Sequence, residues 1–212
     1  ARSGGGGFEI TVGGPGRGTV LADRVVLATP APVTAALLDG LAPDPAEALR
    51  TIEHASVALL TLVVRRVDIG RPLDASGFLV PRVEGLELTA CSWASSKWDH
   101  VGDEEHAVLR PSLGRAGAAA VLEEDDAELV ATVVRDLATT MDLRGDPVAA
   151  RVGRHPQSMP QYAPGHPELV DRLDADLADA LPGVAVAGWT YRGIGIPASI
   201  HSGREAARGL LS

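Results

Sequence analysis

The residues with the clearest chemical potential are the glycines of Arg192-Gly193-Ile194-Gly195-Ile196-Pro197. Glycine lets a backbone approach a bound group closely and adopt conformations closed to other residues. Pro197 suits the first turn of a helix, where its missing N–H costs nothing. A turn feeding a helix start presents unpaired N–H groups and the positive end of the helix dipole. The chemistry it supports is retention of an anionic or electron-rich group. A plain tight turn without a ligand satisfies the same residues, so both readings stand at this level. The spacing Gly193-x-Gly195-x-x-Ala198 also matches a relaxed dinucleotide fingerprint. That motif opens a βαβ unit and requires an acidic residue about twenty positions onward, which falls beyond Ser212.

Other chemistries find less support. The six histidines, His54, His100, His106, His155, His166 and His201, show no metal-ligand spacing, so no metal site is expected. Neither a G-x-S-x-G elbow nor a phosphate-cradling P-loop is present. Cys91 follows apolar residues in a strand-like run and reads as a buried, inert thiol. Glu123-Glu124-Asp125-Asp126 reads as capping acids ahead of a helix, complementing its dipole. A formal net charge of −9 argues against nucleic acid as the main partner, because phosphate-binding surfaces need a basic excess. No apolar run approaches the length of a transmembrane helix, and no signal pattern opens the chain. The expected location is cytoplasmic.

The elements that must position the turn follow from patterning. Val186 to Tyr191 reads as a buried strand, followed by the glycine turn and a helix from about Pro197. Upstream, Phe8–Val12 alternates as a strand, with Thr19–Leu21 as its hairpin partner. Val25–Ala28 reads as a strand buried on both faces, and Pro32–Leu38 as a short helix. Asp44-Pro45 reads as the N-cap and first residue of another. Ala55–Arg66 is the longest β-like run and a central strand, followed by strands over Gly77–Val80, Leu86–Trp93 and Ala107–Arg110. Leu129, Val130, Val133, Val134, Leu137 and Met141 share one helical face. Val148–His155 reads as a strand and Pro167–Leu181 as a second amphipathic helix. Ala1–Gly7 is a glycine-rich lead expected to be mobile. With 45% hydrophobic but 3% aromatic residues, the core is built from Val, Leu, Ala and Ile.

Five blocks in order resemble the protoporphyrinogen/coproporphyrinogen III oxidase family of the flavin amine oxidase superfamily. They are Ala22-Asp23 with Val25–Pro30; Ala90-Cys91-Ser92-Trp93 with Ser96-Lys97-Trp98; Ser112-Leu113-Gly114-Arg115; Met159-Pro160-Gln161-Tyr162 with Gly165-His166; and Tyr191–Pro197 with Ile200, Ser202-Gly203 and Ala206-Ala207. The resemblance implies an FAD-dependent, oxygen-using oxidation of a porphyrinogen in haem biosynthesis, with six electrons removed in three flavin cycles. It implies that Trp189, Gly193, Ile194, Gly195, Ile196 and Pro197 touch FAD, and leaves Arg192 either a further cation there or a solvated turn residue. A porphyrinogen is an apolar macrocycle bearing carboxylates and needs an apolar slot with cations at its rim. Slot candidates are Phe78, Leu79, Val80 and Tyr162; rim candidates are Arg65, Arg66, Lys97, Arg115 and Arg154.

The fold class expected is α/β (α+β). Residues 41–182 form a mixed-sheet substrate domain with flanking helices, while 1–40 and 183–212 return as pieces of a Rossmann-like FAD domain. The family's opening G-x-G-x-x-G segment is not found here, so the expectation is the C-terminal part of a longer chain whose N-terminal half carries the pyrophosphate contacts. The alternatives are another flavin amine oxidase relative, of monoamine oxidase or phytoene desaturase type, or a non-catalytic binding domain.

Overall fold

The computed structural model describes residues 6–211, so part of the glycine-rich lead lies outside it. Contacts divide the chain into two compact units, Ala1–Glu53 with Pro160–Ser212, and His54–Met159. Residues 41–53 and 160–182 pack with the terminal segments, because their helices bury Leu49, Val170, Leu173 and Leu177 in that unit's core.

The unit His54–Met159 is a five-stranded sheet backed by a helix. Its strands are β4 (His54–Arg65), β5 (Gly77–Leu79), β6 (Leu88–Trp93), β7 (His106–Leu113) and β8 (Ala149–Pro160), in spatial order β5-β6-β7-β4-β8. The β4–β7, β5–β6 and β6–β7 pairs are all antiparallel. Burial alternates along β4 as two-residue pleating dictates: Ala58, Leu60, Leu62 and Val64 are buried, while Val57, Leu59, Thr61 and Val63 are half-exposed. The buried set meets Leu129, Val133, Leu137 and Met141 of α4 (Asp126–Met141) in one core. Each fully buried leucine there contributes roughly 1.5–3 kcal/mol.

Of the four acids, Asp125 is the N-cap of α4 and Asp126 lies in its first turn. Asp125 accepts a hydrogen bond from the Glu128 N–H (2.8 Å), and the Glu128 carboxylate accepts one from the Asp125 N–H (3.2 Å), a reciprocal capping box. Asp136, also buried, accepts the Leu88 N–H at 2.9 Å and ties α4 to β6.

The Ser112–Arg115 block is structural. Gly114 has φ of +99°, and a Cβ there would lie 2.4 Å from the Ser56 carbonyl oxygen. The end of β7 passes β4 at a distance only glycine permits. Arg115 then donates to the carbonyls of Val80 (3.1 Å) and Leu88 (3.3 Å).

Cys91 is buried, and burial pushes its thiol up to about 12. At pH 8 the reactive thiolate is then about one part in ten thousand. A disulfide reagent at that pH is expected to leave the native protein unlabelled and to label it only in denaturant. Rapid native labelling would contradict the packing of β6.

The unit Ala1–Glu53 with Pro160–Ser212 begins with a hairpin, β1 (Phe8–Val12) and β2 (Gly18–Ala22). β3 (Val25–Leu27) pairs in parallel with β9 (Val184–Val186). Helices α1 (Ala31–Leu38), α2 (Pro43–Arg50) and α5 (His166–Ala180) enclose its core, and α6 (Ile196–Leu211) ends the chain. A further short helix, α3 (Ala94–Lys97), belongs to the sheet unit.

Three expectations are corrected here. The strand expected over Val186–Tyr191 is β9, ending at Val186. Gly188, at φ +118°, turns the chain, and its carbonyl accepts the Tyr191 N–H. Trp189, Thr190 and Tyr191 have strand-favouring side chains, but this turn overrides them. β3 is not buried on both faces, for Val26 is 38% exposed. Asp44 is not an N-cap; α2 starts one residue earlier, at Pro43, and Asp44 lies in its first turn.

Candidate functional site

Gly193 to Gly195 lie in the loop between β9 and α6, and Ile196 and Pro197 are the first two residues of α6. Gly193 and Gly195 have φ of +130° and +105°, conformations that L side chains rarely adopt. Nothing lies within 4 Å of where a Gly195 Cβ would be, and Ile194 and Ile196 are 62% and 77% exposed. The first helical bond runs from the Ser199 N–H to the Gly195 carbonyl (3.0 Å). Helix geometry leaves the earlier N–H groups without intrahelical partners.

The loop's shape is set by the block Met159–His166. The Tyr162 hydroxyl donates to the Trp189 carbonyl (2.6 Å) and accepts the Gly193 N–H (2.9 Å), so one phenol bridges both ends of the loop. His166 stacks on Tyr162, with centroids 4.0 Å apart and planes 15° from parallel. Its Nε2 lies 3.0 Å from the Tyr191 carbonyl, a hydrogen bond that the Nε2-protonated ring donates. Tyr191 is buried, which pushes its phenol up to about 12. The Gly188 N–H donates to the Ser202 hydroxyl on α6 (3.0 Å).

Arg192 takes a structural role. It pairs with Asp174 (2.6 Å) and Asp171 (2.8 Å) on α5, and these hydrogen bonds, Asp174 first, hold its guanidinium above the ordinary arginine range.

A second feature lies within the sheet unit. Ser76, Gly77, Phe78, Leu79, Ala90, Cys91, Ser92 and Lys97 surround a cavity of about 270 Å³. Ser92 and Lys97 also line a cavity of about 820 Å³ that includes Thr61, Trp98, His100, Val108 and Arg110. The Lys97 ammonium donates to the Ser92 hydroxyl at 2.7 Å. This volume lies within the range of small-molecule sites.

Of the slot and rim candidates, the structure brings Phe78, Leu79 and Lys97 together around the smaller cavity. Leu79 is 82% exposed, whereas Phe78 also packs edge-on against Trp93 (centroids 6.2 Å). Val80 sits in the core. Tyr162 belongs to the other unit and braces the glycine loop. Arg65 pairs with Asp68 (2.7 Å), and Arg66 donates to the Asp103 carbonyl (2.8 Å). Arg154 bonds the carbonyls of Leu122 and Glu124 and the carboxylate of Asp126, so its donors are spent stapling β8 to the start of α4. Sequence reasoning passed over Arg110. It ends the run Ala107–Arg110, and its signal was alternation: it falls on the exposed phase of β7. Among the described residues no cluster of metal-ligating side chains occurs, and no helix is long and apolar enough to cross a membrane.

Mixed helices and sheets, with a glycine turn braced ahead of the last helix, are the architecture of part of an FAD-binding amine oxidase fold. The chain matches the family described as Flavin containing amine oxidoreductase over residues 2–211, and it belongs to that family. It is 40% identical over 190 residues to coproporphyrinogen III oxidase of Mycobacterium tuberculosis and 33% identical over 191 residues to that of Staphylococcus aureus. Each alignment covers 90% of this chain but 40% of the relative, so the chain spans about two fifths of the curated relatives it matches. A solved structure from Exiguobacterium sp. 255-15, provisionally described as a protoporphyrinogen oxidase, superposes with a TM-score of 0.81 at 26% identity, covering 99% of this chain and 45% of that one.

Proposed function

We propose that the protein carrying this chain is an FAD-dependent oxidase of haem biosynthesis that converts a porphyrinogen, coproporphyrinogen III ahead of protoporphyrinogen IX, to the porphyrin with molecular oxygen as oxidant. The observation that carries the reading is the glycine turn. Gly195, at positive φ, leaves open space where a side chain would project, and the turn stands at the start of α6. That arrangement fits a flat, electron-rich ring lying against backbone.

In this reading Trp189, Gly193, Ile194, Gly195, Ile196 and Pro197 hold the flavin near its ring, and Tyr162 fixes the loop that presents them. When bound, FAD would supply the two-electron redox chemistry that couples oxidation of the porphyrinogen to reduction of oxygen to hydrogen peroxide. The start of α6 stabilises negative charge on the reduced ring through its dipole. The names of the Mycobacterium and Staphylococcus relatives favour the coproporphyrinogen form. The described residues contain no strand–G-x-G-x-x-G–helix segment, so the pyrophosphate and adenosine contacts are assigned to an N-terminal half outside this chain.

Two measurements test this. FAD titrated into the 212-residue chain is expected to bind weakly, because the contacts proposed within it reach only the ring end. Submicromolar affinity would overturn the division of the cofactor site. The flavin-loaded protein is expected to turn colourless coproporphyrinogen III into fluorescent coproporphyrin while releasing hydrogen peroxide. Absence of both products would overturn the oxidase reading.

A further inference from the structure

The strand register lays out a face with two chemistries. Leu79 stands opposite Ala90, Ala90 opposite Ser112, and Ser112 opposite Leu59. One row on, Gly77 stands opposite Ser92 and Ser92 opposite Arg110. Directly opposed residues project to the same side of a sheet. Both rows therefore share the face turned away from α4, which packs on the Leu60, Leu62, Leu109 and Leu113 side. A register shift between Leu88 and Ala90 puts Leu88 in the core and Ala90 on the open face.

Along this face the lining changes from apolar, at Leu79 and Ala90, to cationic, at Lys97 and Arg110. Gly77 makes the passage between them shallow. Its φ is +136°, and a Cβ would lie 2.2 Å from the Cys91 carbonyl oxygen, so no side chain rises there. Neither cavity is lined by an aspartate or glutamate, in a chain of net charge −9. Among the described residues, Lys97 and Arg110 make no salt bridge, while Arg50, Arg65, Arg144, Arg154, Arg192 and Arg208 all do. Two uncompensated cations around one cavity favour the charged form of a carboxylate placed between them. The exposed Trp98 ring adds a flat apolar wall at the same end.

We propose that Lys97 and Arg110 are the carboxylate dock of this face. One carboxylate arm of the tetrapyrrole sits between them, and the adjoining edge of the ring lies over Leu79 and Ala90. This rests on the porphyrinogen reading and adds the residues that decide orientation. The dock is complete within His54–Met159, so it needs no flavin to bind its ligand.

The test is binding of coproporphyrin III to the 212-residue chain, read by quenching of tryptophan fluorescence and by the Soret shift. Its tetramethyl ester, which has the same ring without charge, is the comparison ligand. Lys97→Gln and Arg110→Gln are each expected to weaken the acid about tenfold and leave the ester unchanged, with Arg110→Lys intermediate; loss of a charge-assisted hydrogen bond has that magnitude. Both side chains are exposed, so circular dichroism should be unaltered. Undiminished affinity for the acid in both variants would overturn the dock and leave the oxidase reading standing. Failure of the unsubstituted chain to bind coproporphyrin would overturn it too. The oxidase reading falls on a different result, absence of porphyrin and peroxide from the flavin-loaded protein.

Discussion

Gly195→Val in the flavin-loaded protein is expected to lower flavin content and oxidase rate together while the fold survives. Gly195 has φ of +105°, where a β-branched residue is strained by about 1–3 kcal/mol. The chain leaves the Cβ position open, so the added side chain meets no protein atom within 4 Å at its root. It would instead occupy the space assigned to the flavin ring. Strain alone is worth roughly a 5- to 150-fold loss of affinity if it is relieved by moving the turn. The added bulk makes the loss larger. Bound flavin is read by absorbance, oxidation by porphyrin fluorescence and folding by circular dichroism. Full flavin content with normal turnover would remove the main support for this site. Simple unfolding would favour the turn as a structural device without a ligand.

Gly114→Ala is expected to destabilise the sheet severely. It combines backbone strain at φ +99° with a Cβ placed 2.4 Å from the Ser56 carbonyl oxygen and 3.0 Å from the Val57 Cα. Both neighbours are backbone of the central strand β4 and cannot rotate away. The cost should exceed about 3 kcal/mol, a fall in melting temperature of roughly 6–12 °C for a chain of this size. Gly117→Ala provides the comparison. Its φ is +81°, but nothing lies within 4 Å of the added carbon. Calorimetry should show a clearly smaller loss there; equal losses would mean that the close passage of β7 and β4 contributes nothing.

The elements legible in the sequence are those whose pattern repeats often enough to be decisive. β4 is a twelve-residue run dominated by β-favouring apolar residues and α4 repeats its apolar face at helical spacing, and both lie close to where the sequence puts them. β9 was misplaced because three residues carry no period, and Trp189-Thr190-Tyr191 favours extension until Gly188 breaks it. The glycine turn was legible in residue type and spacing. Its brace was not, because Tyr162 reaches Gly193 across thirty-one positions and nothing local announces a phenol that bridges two backbone groups. The cations failed for the same reason. Arg154 meets Asp126 only through the packing of β8 on α4, so a list of basic residues could not separate the neutralised from the free. Arg110 was hidden by its company, lying in an apolar run that reads as core unless the phase of the strand is followed.

α6 contains no buried residue. The residues that it turns inward include Ser202, Gly203 and Ala206, which are small and only half-covered. A sixteen-residue helix is marginal in water without tertiary support. Its amides should therefore exchange with solvent through local opening long before those of α4. The turn that would cradle the ring is thus tethered on one side to β9 and on the other to an element that a bound cofactor would itself help to hold closed. Under the proposed function, order in the last helix and occupancy of the flavin site would be a single equilibrium, and amide exchange in α6 would report on the cofactor without any change in colour.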